Sequence, residues 1–142
     1  MTPDEVIAFE ELRKVSVDTL RLQACSRVDQ ELTVRLAAGW LHADSGHHID
    51  LSDGGRRADL NAVATTAMLV HAGLASWPAS LQDGWISKEN IRIPMPTPAD
   101  GVALATAAAV WYGQMRQHGR NLKDAINAAA DPSAVDITVG WP

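Results

Sequence analysis

The sequence predicts an α+β fold of three main helices, the last one long, packed with a small antiparallel sheet of two β-hairpins and a possible C-terminal strand. Three observations predict it. Apolar residues recur every three or four positions in three long segments. Pairs of short apolar runs flank polar turns at two places, and the last residues alternate between apolar and polar. With 142 residues, 46% of them hydrophobic, the chain fits a single domain, residues 1–142, around one core.

The first helix is predicted to begin at about Pro3. Thr2 can cap it, Pro3 suits the first helical position and Glu5 completes a capping box. The apolar spacing then continues toward Gly39 through Val17, Leu20, Ala24, Val28, Leu32 and Leu36. Leu32, Val34 and Leu36 would also alternate correctly as a strand, so the end of the helix stays open.

The first hairpin is predicted between Trp40 and Leu51. A two-residue Ser45-Gly46 loop would pair His42 with Ile49. The same register pairs Asp44 with His47 and places on one face Trp40, His42, Ile49 and Leu51. His48 and Asp50 then face the other way.

The second helix is predicted to begin after a cap at Ser52 or Asp53 and to run to about Leu74. Its core face is a stripe of residues at spacings of three and four: Leu60, Val63, Ala67, Val70 and Leu74. Gly73 favours an end at or just beyond its own position, and Pro78 follows as a helix breaker.

A second hairpin is predicted from Trp85 to Ile93, with Lys88-Glu89-Asn90 as its turn. The third and longest helix follows a cap formed by Thr97 with Asp100 and ends before Asp131-Pro132. Its stripe consists of Leu104, Ala108, Trp111, Met115, His118, Leu122, Ile126 and Ala129. A kink near Gly119 is the alternative to one straight helix.

Composition excludes several classes of function. The net charge of -5 and the dispersed basic residues disfavour a nucleic-acid partner. The longest apolar stretch, residues 62–75, is too short and too polar to span a membrane. The N-terminus lacks the pattern of a signal peptide. A lone Cys25 indicates a small buried hydrophobe made in a reducing cytoplasm.

The chain offers no constellation of side chains that supports catalysis, so no catalytic, cofactor or metal residue is predicted. The densest group of metal-ligand residue types is His42, His47 and His48 with Asp44 and Asp50. The hairpin register sends His42 and His48 to opposite faces, which disfavours a metal site. His71 and His118 lie on apolar helix stripes and are expected to be core or boundary residues.

Five tryptophans beside one tyrosine and one phenylalanine form the most informative pattern in the composition. Tryptophan is enriched at contact hot spots. Trp111 is predicted to be core. Trp77, beside Pro78, and Trp141, next to the C-terminus, are predicted to reach a surface or a neighbouring subunit.

Several phrases, in order, resemble an uncharacterised family: a domain of unknown function found in tailed-phage and prophage proteins, often encoded near tail and tail-fibre genes. The first phrases are Asp44-Ser45-Gly46-His47, then Leu51-Ser52-Asp53 with Arg57 and Leu60-Asn61, then Trp85-Ile86-Ser87-Lys88-Glu89-Asn90. The later ones are Asn121-Leu122-Lys123-Asp124-Ala125-Ile126, Ala128-Ala129 and Gly140-Trp141-Pro142. The resemblance covers about two thirds of the chain and is weakest over the first helix.

The resemblance implies a virion or prophage protein in a tail, fibre or assembly context. Together with the absence of a catalytic constellation and the spare tryptophans, it favours a non-enzymatic structural or interaction module of the phage tail or tail fibre. Its partners would be other tail or fibre proteins, and the long helix could add a homo-oligomer seam. Such a protein is made in the host cytoplasm and, as a structural component, ends in the virion. An assembly chaperone for a tail fibre is the first alternative, and a metal-dependent enzyme using the histidines of the first hairpin is the second.

Overall fold

The structure is a computed structural model that describes residues 1–142, with residue 15 described by its backbone alone. Its elements, in chain order, are α1 (Pro3–Ala38), β1 (Trp40–His42), β2 (His47–Ile49), α2 (Gly54–His71), α3 (Ala79–Gln82), β3 (Trp85–Ile86), β4 (Arg92–Ile93), α4 (Pro98–Ala128) and a 3₁₀ helix (Pro132–Ala134). The α+β prediction is confirmed, with α1, α2 and α4 as the three main helices. The four-residue α3 is an additional element.

The chain divides into two compact units. Unit 1 comprises residues 1–32 and 115–142, and unit 2 comprises residues 33–114. The expectation of a single domain stays a prediction.

Unit 1 is built on the contact between α1 and the C-terminal part of α4. Its core consists of Ala24, Val28, Leu122 and Ile126. Half-buried residues packed against this core are Cys25, Val135, Ile137 and Trp141. An ion pair joins Lys123 Nζ to Asp29 Oδ1 at 2.5 Å, and Arg21 Nη2 donates to the carbonyl of Ala129 at 3.3 Å.

Unit 2 surrounds the N-terminal part of α4. Its buried core consists of Ile49, Leu51, Leu60, Val63, Ile93, Met95, Leu104, Ala105 and Ala108. Four tryptophans that pack against it are half-buried: Trp40, Trp77, Trp85 and Trp111. Trp111 was predicted to be a core residue, but it lies at the boundary of the core of unit 2.

The helix starts predicted from sequence are confirmed. Thr2 and Glu5 exchange backbone-to-side-chain hydrogen bonds at the start of α1, and Asp53 accepts from the N–H of Gly55 at 3.0 Å. Thr97 and Asp100 form the same reciprocal box before α4. Because a cap needs only residues three apart, it can be predicted without tertiary information.

The two long helices are continuous. α1 runs to Ala38 and keeps Val34 helical, so the strand alternative for this region is not adopted. α4 passes through Gly113 and Gly119 without a break. No helix among the described residues is both long enough and apolar enough to cross a membrane.

The register predicted for the first hairpin is wrong by two residues. Trp40 pairs with Ile49 and His42 with His47, so the loop has four residues, not two. His42 C=O accepts from the N–H groups of Ser45 and Gly46, which closes the longer turn. A shift of two preserves the faces of a strand, so Trp40, His42 and Ile49 still share one face and His48 lies on the other.

α2 ends earlier than predicted. It stops at His71, and Leu74 is exposed instead of lying on the core stripe. Gly73 adopts a φ of +74°, and the N–H of Leu74 bonds to the carbonyl of Leu69 at 2.9 Å. These bonds form a Schellman motif, which turns the chain away before Leu74 can join the stripe.

The possible C-terminal strand does not form. Residues 135–142 contain no strand, and the strand pairs of the described chain are β1 with β2 and β3 with β4. Asp136 instead accepts a hydrogen bond from the N–H of Thr138 at 2.9 Å. The indole of Trp141 donates to the carbonyl of Ile137 at 2.8 Å. Such local side-chain bonds compete with a strand ladder and favour a turn.

The second hairpin forms as predicted, with the Lys88-Glu89-Asn90 turn between β3 and β4. Each hairpin is a separate two-stranded sheet. A backbone hydrogen bond of 2.7 Å from Lys88 N–H to His48 C=O links the first hairpin to the second turn.

Gly84 provides a test of the entry into the second hairpin. Its φ is +105°, and a Cβ at this position would lie 2.2 Å from the carbonyl oxygen of Ile93. We expect Gly84→Ala to lower the free energy of unfolding by at least about 2 kcal/mol, because both backbone strain and the clash must be relieved. Urea denaturation measures the change.

The matched control is Gly73→Ala. Gly73 also has a positive φ, but a Cβ there would meet no atom within 4 Å. This substitution should lower the free energy of unfolding by about 1 kcal/mol, because it adds only the strain of a positive φ. Equal losses for the two variants would contradict the close approach of Ile93 to Gly84.

Candidate functional site

Unit 2 carries a groove of about 800 Å³ beside α2 and the second hairpin. Its lining comprises Asp50, Arg56, Asp59, Ala62, Val63, Thr66, Leu81, Gly84, Trp85, Ile86, Ser87, Lys88, Asn90 and Met95. Apolar side chains and charges of both signs therefore meet in one place. A groove of this composition could receive a small amphipathic ligand or a peptide side chain.

Two charged side chains of the groove, Lys88 and Asp50, are engaged with their own unit. Lys88 Nζ donates to the carbonyls of Ala37 and Ala38, the C-terminal end of α1, at 2.8 and 3.4 Å. Burial opposes ionisation of Asp50, but hydrogen bonds from Ser52 and the charges of Arg56 and Lys88 hold its pKa below the usual value. Asp50 is therefore ionised at neutral pH.

Trp85 presents an unsatisfied group in the same region. Its indole Nε1 is buried and has no hydrogen-bond partner. The hydroxyl of Ser87, by contrast, accepts from the N–H of Ile91 at 3.1 Å and helps to close the hairpin turn. Ser87 is therefore a turn residue in this structure, and no histidine is among the residues that line the groove to activate it.

The histidines of the first hairpin are held by different partners. His42 Nδ1 lies 2.8 Å from Ser45 Oγ, whereas His48 Nδ1 lies 2.5 Å from Glu89 Oε1. Among the described residues, no three His, Cys, Asp or Glu side chains converge to hold a metal ion. The cluster seen in the sequence is therefore spread over separate local contacts.

Glu89 is the residue of this region that sequence reasoning missed. Its carboxylate also accepts from the backbone N–H of His48 at 2.9 Å. Hydrogen bonds from the His48 side chain, then from its backbone, lower the pKa of Glu89 to about 2. The partners are 41 positions apart, so no local spacing could have predicted the pair.

The two remaining histidines differ from each other. His118 is half-buried, and its Nε2 lies 3.0 Å from the carbonyl oxygen of Val139. Its ring lies edge-on to the ring of Trp141, with 4.6 Å between the ring centroids. It is a boundary residue, as predicted. His71 is exposed, because α2 ends there and its last turn lies outside the core.

Trp77 and Trp141, the predicted interaction residues, both pack on their own units. Trp77 Nε1 donates to the carbonyl of Met95 at 2.9 Å, and its ring lies so close to Gly101 that a Cβ there would be 2.6 Å away. Trp141 packs on the core of unit 1. Each is half-buried, and a role in contact with another chain stays a prediction for both.

A second candidate surface lies on the first part of α1, in unit 1. No described residue before Ala24 is buried. The large apolar side chains exposed on residues 3–22, named here the α1 surface, are Val6, Ile7, Phe9, Leu12, Leu20 and Leu22. Isolated exposed apolar side chains are ordinary, but six large ones on one helical segment favour a contact with another protein. The spacing of Val6 and Phe9 before Val17 was the sequence signal that could have identified it.

A family model described as a domain of unknown function (DUF4376) matches residues 19–139. The chain belongs to the DUF4376 family. No curated protein and no solved structure matches it. The DUF4376 match contains the groove and both hairpins, whereas most of the α1 surface precedes residue 19. The first helix is also where the phrases quoted from the sequence agree least with the family they resemble.

The His48–Glu89 pair generates a prediction of pH dependence. Because the pKa of Glu89 is about 2 in the folded chain and 4.5 ordinarily, the pair stabilises the fold above about pH 4.5 and loses this effect as the pH falls toward 2. Glu89→Gln should therefore be less stable than the native chain at neutral pH, and the difference should shrink near pH 2. Urea denaturation across this range measures it.

Asp124→Asn serves as the control. It removes an exposed pair with Arg120 one helical turn away, and should change stability at neutral pH by less than about 0.5 kcal/mol. A Glu89→Gln deficit that is constant across the pH range would contradict the assigned role of the carboxylate.

Proposed function

We propose that this chain is a non-enzymatic interaction module of the tail or tail-fibre region of a tailed bacteriophage or prophage particle. The phage context rests on the resemblance of its ordered phrases, from Asp44-Ser45-Gly46-His47 to Gly140-Trp141-Pro142. Its partners are other tail or fibre proteins. Synthesis takes place in the host cytoplasm, before incorporation into the virion.

The observation that carries the proposal is the α1 surface. Phe9 is 60% exposed and Leu12 is 71% exposed, although apolar side chains gain free energy when they leave water. The described chain itself supplies no cover for them. A contact with another protein in an assembled particle would remove these side chains from water.

The candidate side chains of the groove and of the α1 surface differ in whether the fold already uses them. In the groove, Lys88 caps the end of α1 and Ser87 closes a turn. On the α1 surface, the apolar side chains have no comparable internal task. This contrast favours α1 over the groove as the place where the partner binds.

Quantitative mass spectrometry of purified particles tests the proposal. We expect the chain at a fixed copy number relative to the tail proteins, with an abundant host cytoplasmic protein as the contamination control. Absence from particles that form only when the chain is present in the cell would refute the structural role and favour a fibre-assembly chaperone.

A pair of variants tests the assignment of the surface. Phe9→Ser with Leu12→Ser should reduce incorporation at least about tenfold, since the contact would lose its apolar side chains. The matched control is Val110→Ser, because Val110 is 54% exposed on α4 and should be incorporated normally. Normal incorporation of the α1 variant would contradict the assignment.

A further inference from the structure

Three aspartates of this chain, Asp53, Asp83 and Asp100, are each followed directly by a glycine. An Asp–Gly step is the sequence in which an aspartate isomerises most readily, because glycine has no Cβ to hinder attack by its own backbone nitrogen. All three steps could therefore react in an unfolded chain. In the folded chain, the local backbone decides which of them can reach the geometry of attack.

The step from Asp53 to Gly54 lies on the surface, and its backbone nitrogen is not engaged. Gly54 is the first residue of α2, so its N–H has no partner within the helix. Among the described residues, none accepts a hydrogen bond from this N–H. Asp53, Gly54 and Gly55 are all exposed. The Asp53 carboxylate is held by its cap bond from the N–H of Gly55 at 3.0 Å.

The first turn of α2 is also easy to open. It begins with two consecutive glycines, Gly54 and Gly55, and glycine is among the least favourable residues in a helix. The ends of helices are the parts that open most often in a native protein. Opening this turn breaks the cap bond and lets the backbone of Asp53 rotate toward its own side chain.

The other two Asp–Gly steps are restrained by the fold. The N–H of Gly84 donates to the carbonyl of Leu81 at 3.1 Å, and a Cβ on Gly84 would lie 2.2 Å from the carbonyl oxygen of Ile93. Gly101 is buried, and its N–H donates to the carbonyl of Thr97 at 3.3 Å. At both steps, rotation of the backbone requires the loss of a backbone hydrogen bond and of close packing.

We propose that Asp53 is a site of spontaneous isoaspartate formation in the folded chain. The nitrogen of Gly54 attacks the carboxyl carbon of the protonated Asp53 side chain, and the new N–C bond closes a succinimide ring. The amide proton and the carboxyl OH leave together as water. Water then opens the ring, either back to aspartate or to isoaspartate, in which Gly54 is joined through the former side chain. The reaction needs no partner and is independent of the proposed function.

Isoaspartate at position 53 removes the cap of α2. The former side chain becomes part of the main chain, which gains one CH₂ group, so the cap bond to Gly55 cannot form as before. The loss of a cap weakens the start of the helix that carries Leu60, Val63 and Ala67 into the core. We expect the midpoint of thermal unfolding to fall by about 3 °C in the modified chain.

Peptide mapping of the aged full chain tests the proposal. The native chain is incubated for several weeks at neutral pH and physiological temperature and then digested with trypsin. The three Asp–Gly steps fall in separate tryptic peptides, residues 36–56, 58–88 and 93–116. Electron-transfer fragmentation distinguishes isoaspartate from aspartate in each. We expect isoaspartate to accumulate at Asp53 at least about fivefold faster than at Asp83 or Asp100, because only its step opens with the end of a helix.

The same chain in guanidinium chloride is the first control, and there the three steps should react at similar rates. Gly54→Ala is the second control, since a Cβ at this position would meet only the Arg57 side chain, at 3.6 Å. This variant should stay folded, form little isoaspartate at position 53 and keep its unfolding midpoint on ageing.

Two results would overturn the proposal. One is a native chain in which Asp83 or Asp100 isomerises as fast as Asp53. The other is a preference for Asp53 that is equally large in guanidinium chloride, because local sequence and not the fold would then explain it. An unchanged unfolding midpoint in a chain that does carry isoaspartate at position 53 would overturn the stated effect on α2.

Discussion

Both compact units depend on the apolar stripe of α4. Leu104 and Ala108 are part of the core of unit 2, and Leu122 and Ile126 are part of the core of unit 1. The stripe requires a helix that stays regular over 31 residues, despite a cost of about 1 kcal/mol for each internal glycine relative to alanine. Gly119 is buried, with Val28, Leu32 and Trp141 nearby. A Cβ at this position would lie 3.7–3.8 Å from these side chains, in ordinary van der Waals contact, so the packing does not require a glycine.

A second constraint is the use of exposed carboxylates to fix where elements begin and turn. Asp100, Asp131 and Asp136 each accept from a hydroxyl group and then from a backbone N–H, and these bonds lower the pKa of each carboxyl group. Glu89 follows the same principle with His48 as donor. The structure therefore relies on ionised carboxylates at its turns, so acid weakens several of them together.

The groove of unit 2 and the α1 surface differ in how many of their side chains already stabilise the fold. The groove of unit 2 is large, but its lysine, its serine and one of its aspartates already serve the local fold. The α1 surface has the reverse character, since its apolar residues contribute nothing to a core within the described chain. Evidence for binding therefore comes from surface that the fold leaves uncovered, and the size of a concavity is the weaker guide here.

Features that depend on neighbours in the chain were predictable from sequence. The caps at Thr2, Asp53 and Thr97 and the turn of the second hairpin each need only a few consecutive residues, and all were predicted correctly. The faces of α2 and α4 followed from spacing, because a helix repeats every 3.6 residues. The expected membership of an uncharacterised family is confirmed by the DUF4376 match over residues 19–139, whereas the phage context stays a proposal.

Features that depend on distant partners were decided by the tertiary structure. The register of the first hairpin was mispredicted, since both registers place the same residues inside and only the backbone bonds at His42 distinguish them. The C-terminal residues alternate as in a strand, and Val135 and Ile137 do pack against the core. No strand edge of the described chain pairs with them, and Asp136 binds the local backbone instead. The sequence predicted most of the side chains that leave water, with Leu74 as an exception. Tertiary contacts determined the backbone conformation that buries them, because burial is non-directional and hydrogen bonding is directional.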